Sequence, residues 1–212
     1  EMKLLNIKKN LRKYPYVTSA FFSAQDGSEY TINNQLVRWV KDGELIRLKK
    51  GLYTLNNEDR GVGLSQMLIA NILYYPSYVS LEYALSYYGM IPEGVFQTTS
   101  VTPKKTKDFT NKFGGFIYKN VAKELFFGYE RTKDENDADI LIATPEKALL
   151  DLFYLRTPAN MKIELSYFEE NLRLQNLEII DPKKMKKMAK KFKMSKIGKI
   201  VDGLLKCRDE LS

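Results

Sequence analysis

Within the first 55 residues the apolar pattern changes period, and that change restricts the fold more than any other feature of the chain. Ile32, Leu36 and Val40, with Trp39 beside them, recur at helical spacing and predict a helix from about Thr31 to Asp42. Gly43 ends it, glycine being the residue that best tolerates the left-handed turn closing a helix. Glu44 to Leu55 then reads as two strands around the turn Lys49-Lys50-Gly51. Upstream, Leu4, Leu5, Ile7 and Leu11 alternate with lysine and arginine, which predicts a helix over 3–13 stopped at Tyr14-Pro15. Thr18 or Ser19 can cap a second short helix through Phe22, and Asp26-Gly27-Ser28 makes a turn. The order helix, helix, helix, β-hairpin predicts a winged helix-turn-helix over residues 1–59.

Arg60-Gly61-Val62-Gly63 is the best linker candidate, with a second domain over 60–212. Ser65 to Tyr74 and Leu81 to Tyr88 read as apolar helices, the second capped by Ser80 and ended by Gly89. β-Branched, alternating stretches follow at 96–102, 116–121, 126–131 and 140–143. Thr144-Pro145-Glu146 opens a helix to Leu155, since Thr caps, Pro suits the first helical position and Glu favours the helix dipole. Helices are expected near 164–174, 182–192 and 195–210. The fold class is therefore α+β: an N-terminal winged helix-turn-helix, then a larger mixed α/β domain with antiparallel strands and C-terminal helices.

Charge is unevenly spread. Residues 1–60 hold 11 cationic against 7 acidic side chains, residues 61–156 hold 10 against 11, and residues 157–212 hold 13 against 8. Two basic ends flank a neutral middle, which favours an anionic partner, nucleic acid being the commonest. The chain has no histidine, which removes Ser-His, Cys-His and His-metal chemistry within it. A lone cysteine, Cys207, leaves no internal disulfide. No secretory hydrophobic run follows Lys3, and the longest apolar stretch, Met67 to Tyr75, is too short to span a bilayer. The expected location is the cytoplasm, with no membrane partner.

The third helix places Thr31, Asn34, Arg38 and Lys41 on its outer side, with Gln35 beside them. Asn and Gln can pair bidentately with adenine and Arg with guanine, the chemistry a major-groove helix needs. Arg47, Lys49 and Lys50 ring the hairpin tip, where such residues touch phosphate or enter the minor groove. A second basic feature, Lys183 to Lys199, holds nine lysines and no acids. Lys183, Lys184, Lys187, Lys190 and Lys191 would form an electrostatic surface for phosphate or for an acidic protein, or simply a solvated helix face. The reading names no catalytic residue, no metal ligand and no cofactor. Two other readings stay open. One is a non-enzymatic protein-interaction module without specific DNA binding. The other is a metal-dependent nuclease drawing on Asp137, Asp139, Glu146 and Asp151, although the usual Glu-x-Lys strand spacing is absent.

The middle of the chain also carries a resemblance. Ser80 to Leu85, Gly89 to Gly94, Ser100-Val101-Thr102, Leu125 to Glu130 and above all Ala143 to Leu152 are similar to blocks of AbiEi-type antitoxins. Leu45 to Tyr53 resembles the winged helix those proteins carry, and the match covers about residues 5–156. The resemblance implies a transcriptional autoregulator and antitoxin of a type IV toxin–antitoxin (abortive infection) system. Its N-terminal domain would bind double-stranded DNA at operator repeats upstream of its own gene. Its C-terminal domain would counteract a cognate nucleotidyltransferase-like toxin. A homodimer would suit such repeats, since two-fold proteins match paired half-sites, and some winged helices bind tandem sites as monomers.

Overall fold

Short amphipathic segments cannot bury their apolar sides alone, and the first 55 residues pool theirs. The computed structural model describes residues 4–24, 29–157, 168 and 172–210; the turn expected at 26–28 and most of the helix expected over 164–174 lie outside them. The element order is α1 (Leu4–Leu11), β1 (Val17–Thr18), α2 (Ser19–Ser23), α3 (Glu29–Lys41), β2 (Leu45–Lys49) and β3 (Leu52–Leu55). The three strands make an antiparallel sheet in the order β1-β3-β2, with Val17 opposite Tyr53 and Leu45 opposite Leu55. Ile7, Leu11, Phe22, Ile32, Leu36, Trp39, Leu45 and Leu55 form one small core between helices and sheet. β1 was not expected, because two residues are too few to show a period.

The rest of the chain builds a larger layered body. Its elements are α4 (Gln66–Leu73), β4 (Tyr78–Val79), α5 (Leu81–Tyr87), β5 (Gln97–Thr102), β6 (Lys107–Asn111), β7 (Gly114–Asn120), β8 (Tyr129–Lys133), β9 (Asp139–Ala143) and α6 (Pro145–Arg156). Two C-terminal helices follow, α7 (Pro182–Ala189) and α8 (Ser195–Glu210). The six strands run in the order β6-β7-β5-β4-β9-β8. The sheet is mixed: β5/β7 and β4/β9 are parallel, and the other three pairs are antiparallel. Residues 98–102 of β5 are all buried, so both faces of the sheet centre are covered. Tyr118 donates to the Ala70 carbonyl of α4 at 2.6 Å on one face, while on the other Tyr78 donates to Asp151 of α6 at 2.9 Å. Among the described residues no helix is long and apolar enough to cross a membrane.

The two cores meet through the hairpin and the stretch after it. Leu48 and Leu52 belong to the body's core rather than to the small one. Asn111 of β6 donates to the Leu48 carbonyl at 3.2 Å. The stretch 60–63 is packed rather than free: the Gly61 N–H donates to the Arg12 carbonyl at 3.2 Å, and the Arg60 guanidinium lies over the Phe113 ring at 5.6 Å. A Cβ at Gly61 would sit 2.9 Å from the Arg12 carbonyl oxygen, which is why the approach needs glycine.

Candidate nucleic-acid interface

α3 owes its position to one apolar side. Ile32, Leu36 and Trp39 are buried, and Trp39 packs against Phe22 with ring centroids 5.8 Å apart. The helix closes as its sequence demands. Gly43 adopts φ +76, and the Glu44 N–H reaches back to the Trp39 carbonyl at 2.9 Å. The opposite side faces solvent and carries Thr31, Asn34, Arg38 and Lys41, all exposed. Gln35 does not join them. It is 7% exposed, because it lies three residues beyond Ile32 and four before Trp39, on the flank that turns inward. Three residues that pattern reading missed lie on the outer side: Tyr30, Asn33 and Val37. Positions 30, 33, 34, 37 and 41 follow helical spacing, which was the available signal; the two apolar identities hid it.

Arg47 and Lys50 of the hairpin are exposed, but Lys49 is diverted. Its ammonium donates to the Leu73 carbonyl at 2.6 Å, at the C-terminal end of α4 where helix carbonyls lack partners. Burial pushes its pKa down, and the nearby Lys104 and Lys107 charges push the same way. The physical reason is a bulge. The β2/β3 register shifts between Arg47 and Lys49, so the two no longer share a side as regular alternation would have them do. Lys104 adds a second ammonium to this corner, donating to the Tyr75 carbonyl at 2.6 Å.

The C-terminal lysines divide in the same way. Asp181 caps α7 through the N–H groups of Lys183 and Lys184, and Met185 and Ala189 turn inward. Lys183, Lys187, Lys190 and Lys191 are exposed, and Lys184 is half-buried. Lys184 Nζ lies 2.8 Å from Glu146 Oε2, an ion pair off the hydrogen-bond axis, while Glu146 Oε1 accepts the Asp181 N–H at 3.1 Å. Lys191 Nζ stands 4.2 Å from the centre of the Phe127 ring.

The four carboxylates singled out in the body go to three separate places. Asp137 and Asp139 face Lys133 on the surface, Glu146 faces α7, and Asp151 is buried with Lys147. Lys147 and Asp151 are both fully buried and form an ion pair one turn apart on α6. Tyr78 and Ser80 donate to Asp151 at 2.9 and 2.8 Å, and the Lys147 ammonium lies within 4.9–5.6 Å of the Phe127, Phe192 and Tyr78 ring centres. Burial pushes Lys147 down and Asp151 up, and each is opposed by the other's charge. Ser80 is thereby lost as a cap for α5. The Thr99 hydroxyl of β5 takes its place, accepting the Tyr83 N–H at 3.1 Å. The Ala143–Leu152 block is thus a packing joint between α6 and the sheet, in which Gly128 passes close over the Lys147 stem. Among the described residues no three Cys, Asp or Glu side chains gather into a metal-ligating group. No protein-family model matches the chain, and no curated protein sequence does.

Proposed function

We propose that this chain is a DNA-binding transcriptional regulator, with its first 59 residues acting as a winged helix-turn-helix and α3 as the recognition helix. The observation that carries the reading is the composition of α3's solvent face. Thr31, Asn34, Arg38 and Lys41 stand exposed on a helix whose other side is fixed in a core. Amide and guanidinium groups held at such spacing suit base edges in a major groove. Arg47 and Lys50, exposed on the adjoining hairpin, suit the phosphates beside it. Lys49 is left out of this footprint, since its charge is spent on α4, and so is Gln35. The exposed Lys183, Lys187 and Lys190 would add a sequence-independent attraction.

The resemblance of 80–85, 89–94 and 143–152 to AbiEi-type antitoxins supplies the second half of the proposal. In it the body, residues 60–212, counteracts a nucleotidyltransferase-like toxin made from the same operon, and the N-terminal module represses that operon. A gel-shift titration tests the first half. DNA from upstream of the gene is compared with a scrambled duplex at two salt concentrations. Tighter binding to the native duplex that persists at the higher salt is the expected result. Equal, salt-sensitive binding to both would overturn sequence-specific regulation. Co-expression with the neighbouring gene product tests the second half, the expected result being restored growth that survives loss of Arg38.

A further inference from the structure

Tyr30 is 78% exposed and Val37 is 65% exposed, on the same outward line of α3. Seven residues separate them, two helical turns or about 10.5 Å of rise. That is close to three base-pair steps of about 3.4 Å each. Neither side chain is needed by the fold, because Ile32, Leu36 and Trp39 already fill the core side of the helix. A β-branched apolar residue in the middle of a solvent face also lowers helix propensity, where a lysine or glutamate would raise it. Single exposed hydrophobes are ordinary. What singles out Val37 is its setting, with Asn33 and Asn34 one turn before it and Arg38 and Lys41 beside and beyond it, all exposed.

One ligand surface offers this combination of small apolar contact, amide partner and surrounding negative charge. The major-groove edge of an A·T pair presents the thymine C5-methyl group next to the adenine N6/N7 donor–acceptor pair, between rows of phosphates. We infer that α3 reads a thymine-containing step, with Val37 packed on the C5-methyl group and Asn33 or Asn34 on the adenine. The inference rests on the DNA-binding reading above and deepens it by naming the base edge.

The test uses the full chain and a duplex it selects from a random-sequence pool, so that no operator is assumed. Each thymine of the selected duplex is replaced singly by deoxyuridine, which removes the methyl group and nothing else. Affinity should fall about four-fold at one or two positions, a single buried methyl group's worth. In Val37→Ala those positions should bind thymine and uracil alike, while Asn34→Ala should keep the difference. An unchanged melting temperature for Val37→Ala checks that the exposed substitution leaves the fold intact. Tolerance of uracil at every position, or an undiminished uracil penalty in Val37→Ala, would overturn the inference and leave DNA binding standing. Failure to select any duplex would remove the DNA-binding reading, and the inference with it.

Discussion

Lys147 shows how much a single position holds. Its ammonium has one carboxylate partner and three aromatic neighbours, and no solvent. Lys147→Ala leaves Asp151 charged and buried, and should cost about 3–5 kcal/mol in urea unfolding. Lys147→Met combined with Asp151→Asn keeps an acceptor for the Tyr78 and Ser80 hydroxyls and should recover part of that loss. A loss below about 1 kcal/mol in the single variant would mean that water enters the site. Glu146 gives a pH-dependent counterpart. Burial raises its carboxyl, but Lys184 and the Asp181 N–H outweigh that and hold it below the ordinary 4.5. A carboxyl held low in the folded state stabilises the fold above about pH 4.5, and the contribution is lost as pH falls through its native value. Unfolding free energies measured from about pH 6 to about pH 3 should therefore decline less steeply in Glu146→Gln than in the parent chain. At this scale the sequence was a poor guide. Asp151 and Glu146 were visible as carboxylates, but which lysine each would meet depended on how α6, α7 and the sheet came together.

At the level of elements, pattern reading did better, and its failures have definite causes. The helices over 66–73, 81–87, 145–156 and 195–210 follow from apolar spacing and from Pro145, within a residue or two of expectation. β6 escaped because it is an edge strand whose Lys107, Asp108 and Thr110 face solvent, so it shows no alternation to read. β4 escaped because it has two residues, and it became central by pairing with β5 and β9. On α3, Thr31, Asn34, Arg38 and Lys41 lie on the outer side as expected and Gln35 does not; Asn33 was passed over, and Tyr30 and Val37 were overlooked because apolar identity suggested an inward side chain. Arg38→Ala should weaken binding to the selected duplex by about 1–3 kcal/mol and relax preference at one base pair. Competition titrations against a random duplex measure this, and an equal loss on both DNAs would confine Arg38 to phosphate contact. The β2/β3 bulge matters here as well, since it moves Lys49 from the exposed tip to the end of α4.

For the whole molecule, the hairpin is shared property. Leu48 and Leu52 sit in the body's core, Lys49 holds the end of α4, and Gly61 lies against Arg12 just past α1. Lys49→Ala, with its half-buried donor gone, should lower the stability of the entire chain by about 1 kcal/mol, in one transition for both cores. Two separated transitions in calorimetry would show instead that the cores unfold independently. The boundary near residue 60 is therefore a boundary in sequence but not in packing. Cutting the chain there would strip a lid of leucines from the larger half, and a 60–212 fragment should self-associate more strongly than the intact chain. The same seam limits how such a protein can diversify. An N-terminal module seated this firmly cannot be traded for another by recombination at the junction alone. The incoming module must bring leucines and a cation that fit the same seat, so the exposed face of α3 is more readily altered by point substitutions than by exchange of modules.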